Sequence, residues 1–262
     1  MNAWFETKAY LRHVLCAGGP HSVHSPSVFE LITQVLNPSR HFKCFDKIEE
    51  RRKIMSLDKR YVHVNDLGAG SRVDKKNTRQ ISSIAKHALQ NKKCAQTLFK
   101  IAEHYRPQTI IELGSSLGIT TCYLASSHSQ TRVYSIEGSS EIADIARENL
   151  ESLQLHNVEI ITGPFDEKLP ELLRKIGRAD MILIDGNHRY APTVKYFHEL
   201  LPYCHEGSIL IFDDIHWSEE MQKAWDEIRS NTAIAISIDF FHYGILMFGK
   251  ALEKQHFVLR LP

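Results

Sequence analysis

Residues 109–118 read TIIELGSSLG, and their reading decides the fold. The β-branched apolar run Thr109-Ile110-Ile111 leads into Glu112-Leu113-Gly114. Gly118 follows after three residues, and then the helix-like stretch ITTCYLASSH. That is strand, tight glycine turn, helix. Glycine has no Cβ and tolerates positive φ, so the backbone at such a turn can approach a nucleotide-like ligand closely. A second β-rich run, 132–136, ends in Glu137, nineteen residues after Gly118. An acid at the tip of the second strand is placed to accept hydrogen bonds from ribose hydroxyls. The turn is Gly-x-x-x-Gly, not Gly-x-Gly-x-x-Gly. It therefore suits an adenosine without a pyrophosphate better than a dinucleotide.

Outward from this turn, the pattern alternates. Strands are expected at 109–113, 132–136, 157–161, 180–185 and 207–213, with helices at 118–128, 140–153, 167–176 and 191–201. Near-continuous apolar strands separated by amphipathic helices predict a parallel sheet covered on both faces. After a helix at about 217–230, AIAISID and YGILMFG follow closely, which predicts a hairpin and one antiparallel strand. The terminal HFVLRL reads as a short edge or docking strand. Residues 1–105 are expected to form a mostly helical extension, and 106–262 the α/β domain. Within the extension, helices are read from WFETKAYLRHVL, SPSVFELITQVL, IEERRKIM, RQISSIAKHAL and AQTLFKIAEHY. Ser25-Pro26 provides an N-cap and first-turn pair, and Asn37-Pro38 a stop.

Composition excludes several classes. The chain has 262 residues, 43% hydrophobic and 24% charged, with a net charge of +1. That balance fits an ordinary globular protein and provides no bulk field to hold nucleic acid. No apolar run approaches the length of a membrane span, and MNAWFETKAYLRHVL lacks the apolar core of a signal peptide. Five cysteines, odd in number and without C-x-x-C spacing, read as reduced thiols of a cytoplasmic protein rather than a disulfide frame or a zinc site.

ELGSSLG, Glu137 and the order of elements from about 106 to 250 resemble class I S-adenosylmethionine-dependent methyltransferases. Among these, the chain is most similar to the small-molecule O-methyltransferases of the catechol and caffeoyl-CoA type. The resemblance implies a Rossmann-like methyltransferase fold with a mostly parallel seven-stranded sheet, six strands parallel and the seventh reversed. It also implies S-adenosyl-L-methionine as cofactor. Ligands of open α/β sheets bind beyond the carboxyl ends of the strands. The first tip offers Glu112, Gly114, Ser115 and Gly118, with Thr120 in the first helical turn. Backbone N–H groups and the two hydroxyls could hold the methionyl carboxylate, while Glu112 could accept from the methionyl ammonium. Glu137 would take the ribose. Phe165 could pack on adenine, and Asp166 could accept from its amine, cap the next helix, or do both.

The fourth tip reads Ile184-Asp185-Gly186-Asn187-His188, and the fifth Phe212-Asp213-Asp214-Ile215-His216-Trp217. Asp185 thereby also borders the cofactor site. Carboxylates packed at adjacent strand tips repel one another and lose solvation, and a divalent cation would neutralise them. Catechol-type enzymes place one Asp and an Asp-Asn pair around magnesium. Asp185, Asp213 and Asp214 match in position, with Asp214 in place of Asn, and leave room for Mg²⁺ or Mn²⁺. Where those enzymes carry a lysine, this chain has His188, a natural general base. His216 and Asp213 are the further catalytic candidates.

Asp66-Leu67-Gly68-Ala69-Gly70 looks like a second glycine motif, but no strand ending in an acid follows, and it reads as a loop. Nearby Arg72, Lys75, Lys76 and Arg79 form a basic cluster that is either a solvated face or a lid for an acidic substrate. His21–Pro26 is an unusual polar stretch that could line a substrate pocket. The expected reaction moves a methyl group to an oxygen or nitrogen of a small-molecule acceptor, with no membrane partner. A nucleic-acid or protein methyltransferase fits less well, because of the neutral charge and because the fourth tip reads DGNH rather than Asn-Pro-Pro-Tyr. A non-catalytic binder would have no need of the Asp and His cluster.

Overall fold

In the computed structural model, residues 3–19, 22–36, 39–64, 77–249 and 254–260 are described. In chain order the elements begin with α1 (Ala3–Cys16), α2 (Pro26–Glu30) running on as a π-helical turn (Leu31–Val35), and α3 (Lys43–Leu57). A short pair follows, β1 (Tyr61–His63) and β2 (Thr78–Gln80), then α4 (Ile81–His87) and α5 (Lys92–Tyr105). The alternating part comprises β3 (Thr109–Leu113), α6 (Ile119–Ser126), β4 (Arg132–Glu137), α7 (Ser140–Ser152), β5 (Val158–Thr162) and α8 (Phe165–Ile176). It continues with β6 (Met181–Ile184), α9 (Tyr190–Leu200), β7 (Ile209–Asp213) and α10 (Glu219–Ser230), and ends with β8 (Ile234–Asp239), β9 (Tyr243–Phe248) and β10 (Gln255–Val258).

Local chemistry explains several boundaries. Asn91 caps α5 by accepting from the Cys94 N–H at 2.9 Å, and Arg106 ends that helix in the left-handed conformation just before Pro107. Ser218 caps α10 by accepting from the Met221 N–H at 3.1 Å, with Glu219 and Glu220 in the first turn where the helix dipole favours acids. Ser25 and Pro26 do open α2, although the Ser25 hydroxyl makes no capping bond. The expected helix stop at Asn37-Pro38 lies outside the described residues.

The chain forms two compact units, Pro38–Lys175 and Met1–Asn37 together with Ile176–Pro262. In the first, β3, β4 and β5 lie side by side in parallel register, with Leu113 opposite Ile136 and Glu137 opposite Thr162. Its core includes Phe45, Phe99 and Tyr123, with ring centroids 4.9 and 5.3 Å from Phe45. A second cluster gathers Met55, Val62, Ile81, Leu117 and Ile142. Each such side chain contributes roughly 1.5–3 kcal/mol when withdrawn from water.

In the other unit the strand order is β10-β8-β9-β7-β6. β6 and β7 are parallel, β9 runs antiparallel to both β7 and β8, and β10 is parallel to β8. Every residue of β6 and β7 is buried, which is why both read as continuous apolar runs. The hairpin expected from AIAISID and YGILMFG is β8–β9, and β9 is the reversed strand. The terminal HFVLRL supplies β10, so the alternating part has eight strands rather than seven. The fold is α/β and Rossmann-like, with mostly parallel strands alternating with helices. The β1–β2 pair was not expected: Tyr61-Val62-His63 is too short to show a period. It is held to α7 by the His63 N–H, which donates to Glu141 at 2.6 Å, and by the Ser139 hydroxyl, which donates to the His63 carbonyl at 2.9 Å. Among the described residues no helix is long and apolar enough to cross a membrane. All five cysteines are free thiols.

Candidate active site

The glycine turn after β3 has the geometry its sequence implies. Gly114 and Gly118 have φ of 103° and 76°, and Ser116 between them has φ 47°. A Cβ at Gly118 would stand 2.9 Å from the Ala146 Cβ of α7, so the turn needs glycine for conformation and for space. From behind, the Asn149 amide donates to the Leu117 carbonyl at 2.7 Å, and Arg51 donates to the Asn149 oxygen. Neither residue carries a sequence signal, because both act from helices elsewhere in the chain.

Glu137 stands at the tip of β4 as expected and is also a brace. One carboxylate oxygen accepts from the Ser116 N–H and the other from the Ser139 N–H, each at 3.0 Å. The acid thus couples the glycine turn to the start of α7. Ser116 was not among the expected site residues, and its role follows from its left-handed backbone, which turns its N–H toward Glu137.

Glu112 is wholly buried. One oxygen accepts from the hydroxyls of Thr121 and Ser135, both at 2.5 Å, while Oε1 is buried with no hydrogen-bond partner. Burial pushes its pKa up to about 7, against the hydroxyl hydrogen bonds and helped by the nearby Glu137 charge. Ser115 is buried as well, and its Oγ has no partner. Thr120 lies in the first turn of α6, also buried. Phe165 opens α8, and Asp166 follows inside its first turn. Asp166 is therefore not the cap residue, although an acid in that turn still suits the helix dipole.

In the other unit, strained backbone gathers at the strand tips. Asn187 (φ 66°) and His188 (φ 24°) follow β6, and Asp214 (φ 55°) follows β7. Non-glycine residues held at positive φ cost of order 1–3 kcal/mol and cluster at functional sites. The Asn187 amide donates to the Tyr196 hydroxyl at 3.1 Å, and its buried Oδ1 has no partner. His188 Nε2 lies 3.7 Å from Asp185 Oδ1, and its ring sits 5.6 Å from Trp217. Both side chains keep about a fifth of their surface in solvent. Asp213 is buried at the end of β7, opposite Tyr243. The Asp214 N–H donates to the His242 carbonyl at 2.6 Å.

The fifth-tip histidine goes elsewhere. His216 Nε2 lies 2.7 Å from Asp239 Oδ2 at the end of β8. Among the described residues, the group whose ligand atoms all approach within 4.8 Å is His13, His216 and Asp239. Asp185, Asp213 and Asp214 form no such group, so the expected convergence of three carboxylates on one cation is absent from this arrangement. Asp66–Gly70, Arg72, Lys75, Lys76 and His21 lie outside the described residues. Arg79 is in β2.

With this geometry in hand, comparison with known proteins is informative. Residues 111–215 match the family model of a methyltransferase domain. No curated protein sequence matches the chain. Among solved structures, a methyltransferase of Podospora anserina bound to S-adenosylhomocysteine aligns with a TM-score of 0.61 at 13% identity, covering 87% of this chain and 98% of its own. An O-methyltransferase of Streptomyces achromogenes involved in tomaymycin synthesis, in complex with S-adenosylmethionine, aligns at 0.57 and 14% identity, covering 82% and 93%. A Bacillus cereus O-methyltransferase in complex with S-adenosylhomocysteine aligns at 0.54 and 18%, covering 86% and 97%. These likenesses carry the fold, and residues 111–215 are similar in sequence to a methyltransferase domain.

Proposed function

We propose that the chain is an S-adenosylmethionine-dependent methyltransferase acting on a hydroxyl of a small-molecule acceptor. The observation that carries the reading is the pair of buried polar atoms without partners, Glu112 Oε1 and Ser115 Oγ, beside a turn that only glycine can make. Burying such atoms unpaired costs about 1–3 kcal/mol each, and an amino-acid-like ligand would satisfy them. Glu112 would accept from the methionyl ammonium. Ser115, Thr120 and the N–H groups opening α6 would hold the carboxylate. Glu137, already oriented by two backbone N–H groups, would accept from the ribose hydroxyls. Phe165 would pack on adenine and Asp166 would accept from its amine.

When bound, the cofactor supplies an already activated methyl group on a sulfonium. What remains for the protein is alignment and removal of one proton. His188 takes that proton from the acceptor hydroxyl, and Asp185, 3.7 Å away, favours the imidazolium that results. Asp213, buried at the end of β7, the strand paired with β6, adds negative charge. No step is routed through Mg²⁺ or Mn²⁺, because Asp185, Asp213 and Asp214 do not gather their oxygens. The catalytic domain is assigned to 106–262, and 1–105 is an extension that contributes to acceptor choice.

Isothermal titration tests the reading. S-adenosylmethionine and S-adenosylhomocysteine should bind and NAD should not. Glu137→Ala should weaken binding by about 1.5–3 kcal/mol, the scale for charge-assisted hydrogen bonds. Unchanged affinity in that variant would remove Glu137 from the ribose role, and binding of NAD alone would overturn the function.

A further inference from the structure

Three segments distant in sequence meet at Asp239. His13 comes from α1, His216 from the loop after β7, and Asp239 from the end of β8. Asp239 Oδ2 is 2.7 Å from His216 Nε2, and Oδ1 is 3.2 Å from His13 Nδ1. Oδ1 also accepts from the Phe241 N–H at 2.8 Å. All three side chains are about nine-tenths buried. Phe241 covers them, stacked on His216 at 5.3 Å and edge-on to His13 at 5.5 Å.

The His13 nitrogen is the informative atom. It is buried, it faces a carboxylate oxygen at 3.2 Å, and it makes no hydrogen bond. A nitrogen lone pair and a carboxylate oxygen facing each other out of water repel unless a cation sits between them. A proton on Nδ1 would supply that cation as a hydrogen bond, whose alignment is not met here. A metal ion supplies it without that constraint. Two imidazole nitrogens and one carboxylate oxygen are a transition-metal donor set, whereas Mg²⁺ and Ca²⁺ prefer oxygen alone. A tetrahedral Zn²⁺ with bonds of about 2.0–2.1 Å sets its ligands about 3.3 Å apart. The pairs here stand at 2.7 and 3.2 Å, so a shift of a few tenths of an ångström at His216 would open the site, with water as fourth ligand.

We propose that His13, His216 and Asp239 bind one divalent transition-metal ion, with Zn²⁺ the natural occupant, and that the ion ties α1 to the ends of β7 and β8. On binding, His216 takes the tautomer with its ring proton on Nδ1, so that His216 Nε2 and His13 Nδ1 each donate a lone pair to the ion. The ion is a clasp on the fold, separate from the carboxylates Asp185, Asp213 and Asp214. Through His216 it also fixes the chain that leaves the fifth strand tip.

The test is spectroscopic and independent of activity. Full-length protein, stripped with a chelator and dialysed, is titrated with Co²⁺. The visible absorption of four-coordinate Co²⁺ should saturate at one equivalent, should be displaced by Zn²⁺, and should survive a large excess of Mg²⁺. Zn²⁺ at a hundredfold its dissociation constant should raise the thermal midpoint by about 5–10 °C. His13→Ala and His216→Ala should each abolish the band and the shift, with circular dichroism confirming that the variants fold. Asp185→Asn and Asp213→Asn should keep both. Absence of the band in the wild-type protein overturns the proposal, as does a band that survives His13→Ala or vanishes in Asp185→Asn. Should His216→Ala fail to fold, the His13→Ala and wild-type titrations decide it.

Discussion

Replacing Glu112 with glutamine removes a charge from a site that water does not reach. The wild-type carboxyl is pushed up to about 7 from an ordinary value of 4.5, chiefly by burial. Between those values the folded chain keeps a proton that the unfolded chain has released. Stability from this group is therefore complete below about pH 4.5, falls as pH rises, and levels off above about 7. At 1.36 kcal/mol per pH unit, the gap corresponds to about 3 kcal/mol. Glutamine has the same shape and no charge, and the Thr121 and Ser135 hydroxyls that donate to Glu112 can accept from an amide instead. Glu112→Gln should therefore gain on the wild type by about 2–3 kcal/mol between pH 5 and pH 8, read from urea unfolding of the ligand-free protein at each pH. The same variant should bind S-adenosylmethionine roughly ten- to a hundredfold more weakly, since the neutral side chain no longer attracts an ammonium. Such a trade of stability against function is common at binding sites. A stability difference that stays constant across the pH range would refute the buried-charge reasoning, whatever happens to binding.

His188→Ala should lower turnover by about 10²–10⁴-fold with cofactor affinity little changed, measured by single-turnover kinetics and titration; near-normal turnover would strip His188 of the base role. Gly118→Ala forces a positive φ on a side chain and drives its Cβ to 2.9 Å from Ala146, so it should cost at least about 1–2 kcal/mol in unfolding experiments; a neutral substitution would mean the turn relaxes freely. Gly244→Ala would press a Cβ to within 2.4 Å of the Trp225 ring and should lose about 1–3 kcal/mol with a change in Trp fluorescence. An unaltered emission spectrum would argue against that packing.

The signals that could be read from sequence were local ones. The turn at 109–118 announced itself because glycine is required wherever φ is positive and a neighbouring helix presses close, as Gly118 shows against Ala146. β6 and β7 were legible as apolar runs because both of their faces are buried. The β1–β2 pair escaped notice because three residues carry no periodicity, and Asp166 shifted from cap to first turn because α8 starts two residues earlier than its pattern. Within the site, Glu137 was placed by its distance from Gly118, but its bond to the Ser116 N–H was not visible.

The sequence by itself therefore determined the order of strands and helices, the glycine turn and the acid that serves it. Each of these depends on backbone conformation or on the periodic burial of near neighbours. Tertiary structure alone decided which charged side chains meet. DDIHW presents two acids and a histidine in one short stretch, yet His216 bonds to Asp239 and shares it with His13 from the first helix. Glu112 stands at the end of β3, and its full burial between the Thr121 and Ser135 hydroxyls is set by the packing around it. A side chain's partner depends on where distant segments pack and on how much water they leave behind, and no spacing along the chain encodes either.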